Sequence, residues 1–149
     1  MSAPVLRFNR AIFSAATGKW ATPTEVYDAL DAEFRFTLDP CPMDDAERIM
    51  EQDGLARSWV GERVYCNPPY GNGVERWLDK AREADVAVYL LPSRTDTRWW
   101  HDYALKANEI RFIRGRLKFG GSKNSAPFPS AILVFRSPSA AVSLPGDER

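Results

Sequence analysis

An open α/β sheet with helices on both faces is the architecture that this sequence of 149 residues predicts. Three features point to it. Strand and helix patterns alternate through the first two thirds of the chain and are followed by two late strands. Val86 to Leu91 is a continuous apolar run, of the kind buried on both faces of a parallel sheet. Two earlier strands end abruptly, at Asp39-Pro40 and at Asn67-Pro68-Pro69-Tyr70.

Taken in order, residues 1–17 show no clear period and read as an N-terminal arm; the domain proper is expected over 18–136, and 137–149 as a flexible tail. Thr22-Pro23-Thr24-Glu25 marks a helix start, with Thr22 as cap, Pro23 in the first turn and Glu25 completing a capping box. Val26, Leu30 and Phe34 recur at helical spacing. Phe34 to Leu38 alternates like a strand. Met43 to Trp59 is polar and irregular, one helix with a break near Gly54. Val64 to Cys66 is a short strand that must leave the sheet at Asn67, because successive prolines cannot continue the ladder. Asn72 is placed to cap a helix carrying Val74, Trp77, Leu78 and Ala81 on one face. After the Val86–Leu91 strand, Thr95 is the expected cap of a helix through Lys106 in which only one of Trp99 and Trp100 can face the core. Ile110 to Ile113 and Ala131 to Phe135 are strands, joined across a Gly, Ser, Lys and Pro loop at 120–129 that is long enough to move.

Composition narrows the function. At 44% hydrophobic and 12% aromatic the chain can form a real core. Its longest apolar run is six residues, too short to span a bilayer, so no membrane partner is expected. Cys41 and Cys66 show no CxxC spacing and no Cys/His cluster, which argues against a metal site; a reduced, cytoplasmic compartment is expected, with a disulfide as the alternative. The net charge is zero but unevenly spread. Residues 1–93 hold 10 basic and 15 acidic side chains, whereas 94–123 hold 8 and 3. This segregation suggests one positive face; the plain alternative is a solvated helix and strand with ordinary Lys and Arg.

In open α/β sheets ligands sit at the carboxyl ends of the strands, where both proline-marked exits fall. The second exit has a specific chemistry. An exocyclic amine on a heteroaromatic ring is a poor nucleophile because its lone pair is delocalised. Two acceptors aimed at its two hydrogens favour a tetrahedral nitrogen and localise that pair. Asn67 offers a side-chain amide oxygen and Pro68 a backbone carbonyl. The double proline, Pro68-Pro69, stiffens both, and Tyr70 offers a flat face for an extruded base. The plain alternative is a proline-rich turn with Tyr70 merely packing.

The sequence resembles the small DNA N-6-adenine methyltransferases of phages and prophages, the Dam-like phage family. The match is distributed over roughly residues 18–136: Trp20-Ala21-Thr22-Pro23, Phe36 to Cys41, Gly54-Leu55 with Trp59, Val64 to Tyr70, Leu90 to Thr97 with Trp99-Trp100, Gly115 to Phe119, and Ser130 to Phe135. That resemblance implies a reduced Rossmann-like S-adenosylmethionine-dependent methyltransferase sheet, mostly parallel with a late antiparallel strand. It implies S-adenosylmethionine as methyl donor, adenine in DNA as acceptor, and host-cell cytoplasm as the compartment if the gene is phage-borne. Asn67, Pro68, Pro69 and Tyr70 would form the catalytic loop. Trp20, Thr22, Pro23, Asp39, Pro40 and Asn67 would border the donor. Thr22-Pro23 resembles the segment that lies against the donor's amino-acid end, and Asp39 could accept from its ammonium. The Gly-rich turn usual after the first strand is absent here, replaced by Asp39-Pro40-Cys41-Pro42. Arg94, Arg116 and Lys118 are the expected phosphate contacts, although each could instead pair with a local acid such as Asp96. Two other functions share the loop or the fold: an RNA or protein-amide methyltransferase, and a non-catalytic DNA-binding module.

Overall fold

A computed structural model describes residues 21–41, 54–71, 73–120 and 122–138. The expected arm at 1–17, Trp20, Asn72 and the tail beyond Pro138 lie outside these residues, as does most of the helix expected between Met43 and Trp59, of which 54–56 are helical.

The first helix, α1 (Thr24–Phe34), forms where the apolar period predicts it, and its Leu30 and Phe34, one turn apart, are buried. Its start differs from expectation. Pro23 is the cap residue, and no side chain caps the helix. The Thr22 hydroxyl is instead engaged with Tyr65 and Asn67, on the sheet. The helix stops at Arg35, which takes the left-handed conformation at φ 54°. Arg63 helps hold this end by donating from Nε to the Phe34 carbonyl at 2.5 Å. The strand expected from Phe34 to Leu38 is consequently only a single parallel bridge, Leu38 to Val64, because the helix consumes Phe34 and Asp39 turns the chain away. That turn is closed by the Asp39 carboxylate, which accepts from the Cys41 amide at 3.1 Å.

Four strands follow: β1 (Arg63–Cys66), β2 (Val86–Pro92), β3 (Glu109–Phe112) and β4 (Ser130–Arg136), arranged β1-β2-β4-β3. β1 pairs with β2 in parallel, and β4 runs antiparallel to both β2 and β3. Three strands therefore point one way, and the late strand β4 opposes them. β2 is buried along its whole length, as its unbroken apolar sequence requires.

Strand alternation divides the core into two layers. Val64, Cys66, Ala87, Tyr89, Leu91 and Leu133 face one side, against Trp59, Trp77, Leu78 and Trp100. Tyr65, Val88, Leu90, Ile132 and Val134 face the other, against Leu30 and Phe34 of α1 and against Phe119 and Phe128. Each fully buried large apolar side chain contributes about 1.5–3 kcal/mol. Helix α2 (Val74–Asp79) begins after Gly73, whose φ of 93° suits glycine, and continues as a 3-10 turn over Lys80–Glu83.

Helix α3 (Arg98–Asp102) is shorter than expected and is followed by a separate 3-10 turn at Ala104–Lys106. Its cap is Thr97, not Thr95: the Thr97 hydroxyl accepts from the Trp100 amide at 3.2 Å and donates to the Arg94 carbonyl at 2.7 Å. Residues 94–97 form a turn first, closed by the Thr97 amide on the Arg94 carbonyl at 3.0 Å, and this delays the helix. Trp100 is buried and Trp99 only partly so, in line with adjacency on a helix. The loop before β4 packs part of its length against the sheet. Phe119, Ala126 and Phe128 are buried, and the Ala126 amide donates to the Leu117 carbonyl at 2.7 Å. No helix of the described residues is long and apolar enough to cross a membrane.

Candidate active site

The parallel β1 and β2, the turn after Leu38 and the entry to α1 meet at one end of the sheet, the carboxyl end of β1. Asn67 leaves β1 there and is 2% exposed. A side chain this buried must have its amide hydrogen-bonded. Its Nδ2 donates to Thr22 Oγ1 at 3.3 Å, and its Oδ1 accepts from the Tyr70 hydroxyl at 2.7 Å. Thr22 Oγ1 also bonds the Tyr65 hydroxyl. Pro68 is buried and Pro69 half-buried behind this arrangement.

Beside Asn67 opens a pocket of about 270 Å³, bordered by Thr22, Tyr27, Asp39, Cys41, Tyr65 and Asn67 among others. Three of the expected donor residues, Thr22, Asp39 and Asn67, are thus brought together from separate parts of the chain. Pro23 and Pro40 are buried next to Thr22 and Asp39 and shape the backbone there. Trp20 lies outside the described residues. Tyr27, Cys41 and Tyr65 also border the pocket and were not anticipated. For Tyr65 a signal existed: it stands two residues before Asn67 on a strand, so the two share a face.

Among the described residues Asp39 is the one carboxyl that lines the pocket. Asp39 keeps a solvent-exposed part, but the protein packed about its carboxyl raises its pKa to about 6, against a smaller opposing effect of the Cys41 amide. Burial raises the Tyr65 and Tyr70 phenols well above their ordinary range, so both remain protonated. The Cys66 thiol, one residue before Asn67, is likewise pushed up by burial and is inert as a thiolate nucleophile. Among the described residues no group of three or more His, Cys, Asp or Glu side chains could hold a metal ion.

Tyr70 differs in one respect from the free stacking face read from the sequence. Its ring meets Phe119 and Phe128 nearly edge-on, at interplanar angles of 77° and 85°. Its hydroxyl also approaches the Leu90 carbonyl at 3.3 Å. The plane of the ring is therefore fixed by its neighbours.

The three expected phosphate contacts are exposed and lie around the same loop. The Arg94 guanidinium stands over the Phe128 ring at 5.6 Å, and Arg116 donates to the Ala126 carbonyl at 3.5 Å. Among the described residues no ion pair involves Arg94, Arg116 or Lys118, so the suggested Arg94–Asp96 pairing is not formed. Arg111, from the same basic stretch, is used structurally: it makes two 2.7 Å bonds to Glu33 and one of 2.6 Å to Glu109, tying α1 to β3.

Fold and site together define an α/β chain with an amide acceptor held at a strand end, beside a pocket furnished with a carboxyl and hydroxyls. Residues 11–142 match the family described as DNA N-6-adenine-methyltransferase (Dam), and the chain belongs to that family. A protein of Haemophilus phage HP1 (strain HP1c1) named DNA N-6-adenine-methyltransferase is 30% identical over 105 residues, which are 63% of this chain and 61% of that relative. The match therefore spans less than two thirds of the relative's length. No solved structure matches the chain.

Proposed function

We propose that this chain is a Rossmann-like, S-adenosylmethionine-dependent DNA methyltransferase that methylates the exocyclic amine of an extruded adenine. The observation that carries the reading is the placement of Asn67: its amide is held at the rim of a pocket that also contains Thr22 and Asp39, in a chain of this family.

The pocket residues fit the donor's amino-acid end. The Asp39 carboxylate would take the ammonium. The Thr22 hydroxyl and the first-turn amides of α1, which a helix cannot itself satisfy, would take the carboxylate. S-adenosylmethionine, so held, supplies the methyl group as a sulfonium.

The rest is the work of the loop. Asn67 Oδ1 and the Pro68 carbonyl accept the two amine hydrogens and draw the nitrogen toward a tetrahedral geometry. An amide oxygen accepts two hydrogen bonds, so the Tyr70 hydroxyl and the amine can share Oδ1. The Tyr70 ring, its plane fixed by Phe119 and Phe128, is the surface on which the base would lie. Proximity and alignment provide much of the rate. No strong base is needed, because the methylated amine is acidic while cationic and releases its proton to water by way of the oxygens that hold it. Arg94, Arg116 and Lys118 would contact the phosphates of the flanking DNA.

The test is transfer of labelled methyl to DNA of varied sequence, followed by nucleoside analysis, with Asn67→Ala as control. N6-methyladenine formed by the wild type, and lost by a factor of roughly 10²–10³ in the variant, is expected from removal of one preorganised acceptor. Label appearing in RNA or in protein glutamine instead would move the activity to those substrates. Failure to bind S-adenosylmethionine with or without DNA would reduce the chain to a binding module.

A further inference from the structure

We infer that the carboxyl end of β3 belongs to the DNA-docking surface and that Phe112 is a specificity-determining residue there, favouring a thymine near the target adenine by apolar contact with its 5-methyl group. The inference rests on the methyltransferase reading above and adds a base contact to the phosphate contacts named there.

Strand direction puts Phe112 at the same end of the sheet as Asn67. β1 and β2 are parallel, and β4 opposes both β2 and β3, so β3 ends where β1 ends. The register fixes the level. Phe112 pairs with Ala131, and Ala131 pairs with Leu91. Leu91 adjoins Leu90, whose carbonyl the Tyr70 hydroxyl approaches at 3.3 Å. Phe112 is therefore level with the Asn67–Tyr70 loop, two strand spacings from Leu91, or roughly 10 Å. Successive base pairs of a duplex advance about 3.4 Å. DNA that delivers an adenine to Asn67 would thus bring a base pair within about three steps of it to Phe112.

Phe112 is 67% exposed, although a phenyl ring gains much from burial. β3 is an edge strand, and Ala131 across the ladder has only a methyl group to set against the ring. The chain that follows is positive. Arg114, Arg116 and Lys118 are all exposed, and from Ile110 to Ser130 the sequence holds no Asp or Glu. Among the described residues no ion pair involves these three cations. Arg94, just beyond β2 at the same end, is exposed as well. Such cations suit phosphates. An apolar ring set among them has one apolar feature to meet on the base edges of an intact major groove, the thymine methyl. A second copy of this chain is the poorer occupant. A two-fold contact through Phe112 would bring the two sets of cations together, and like charges across an interface repel.

The experiment measures the Kd of the full chain for duplexes carrying its preferred methylation sequence, with saturating S-adenosylhomocysteine. Thymines within about three base pairs of the adenine, its own partner apart, are replaced one at a time by uracil, which removes only the methyl group. Wild type should lose about fourfold at one position, the worth of one buried methyl. Phe112→Ala should bind the thymine duplex at least about fourfold more weakly than wild type and lose nothing further with uracil, because both changes break one contact. Its salt slope should match wild type, whereas Arg114→Gln should lower the slope by roughly 0.9 and keep the thymine preference. The melting temperature of Phe112→Ala should stay within about 2 °C of wild type, since the ring is exposed. A preferred sequence without such a thymine, no uracil penalty in wild type, or a penalty that survives in Phe112→Ala would overturn the inference. So would a wild type that self-associates in sedimentation while Phe112→Ala does not, which would make the ring a contact between copies. Should Phe112→Ala fail to fold, Phe112→Gln decides: a uracil penalty that survives in it refutes the contact. A wild type that binds no DNA refutes the parent reading and the inference with it, whereas every other failure leaves the parent reading standing.

Discussion

Donor affinity should rise with pH through the range in which Asp39 ionises. Burial raises the pKa of this carboxyl from 3.8 to about 6. In the free protein the carboxylate fraction is then about a tenth at pH 5 and about nine tenths at pH 7. A donor ammonium needs the carboxylate, and contact with a cation lowers the pKa in the complex. Linkage therefore makes binding about tenfold tighter at pH 7 than at pH 5, with a plateau above. The sign for stability is opposite. The folded state favours the protonated acid, so without ligand Asp39 becomes a growing burden as pH rises from about 4 to 6, and Asp39→Asn relieves it. The assay is calorimetric titration with S-adenosylmethionine at pH 5, 6 and 7. Asp39→Asn should bind weakly at every pH and show no slope. The one histidine, His101, lies outside the pocket lining, with its Nε2 2.8 Å from the Thr95 carbonyl oxygen. A flat wild-type profile, or an unchanged slope in Asp39→Asn, refutes the assignment of Asp39 to the ammonium.

Other outcomes can be checked in parallel. Tyr70→Phe leaves Asn67 Oδ1 and the Leu90 carbonyl without this donor and should destabilise the fold by about 1–3 kcal/mol in urea titration, yet retain more DNA capture than Tyr70→Ala; equal KM values in the two variants would remove the ring from base stacking. Gly54→Ala places a methyl 2.1 Å from the Pro40 carbonyl oxygen and 3.1 Å from the Trp77 ring. The cost should be about 1–3 kcal/mol, with weaker donor binding because the Asp39–Pro40 turn must shift; an unaltered melting temperature and Kd would show that the turn yields freely. Replacing Arg116 and Lys118 by Gln together should lower the slope of log affinity against log salt by roughly 1.8, and an unchanged slope takes both off the DNA surface.

What was legible in the sequence followed from periodicity and from proline. Val86 to Leu91 identified the central strand because burial on both faces demands an unbroken apolar run, and β2 is buried throughout. Asn67-Pro68-Pro69 identified the exit from β1 because proline cannot donate to a ladder. Errors arose where a local signal competed with a tertiary partner. Thr22 has the composition of a helix cap, but its hydroxyl bonds Tyr65 and Asn67, 43 and 45 residues away. Thr95 and Thr97 are equally good caps on paper, and the turn at 94–97 selects the second. The composition of the Gly- and Ser-rich segment at 120–129 does not show that its Ala126 and Phe128, with Phe119 just before it, are buried against the sheet.

The same competition explains why the candidate site was only half visible. Motif reading finds residues whose chemistry is unusual for their position, such as an asparagine between a strand and two prolines. It does not find the bond from the Tyr65 hydroxyl to Thr22, because the two residues are 43 positions apart and meet only in the fold. Nor does it show that the Asp39 pKa is raised, since nothing in Asp-Pro specifies the protein packed around the carboxyl. The Asn67 amide is bonded to Thr22, from before α1, and to Tyr70, from its own loop. On the proposed reading the loop holds an amine without a strong base, which requires each donor and acceptor to face correctly.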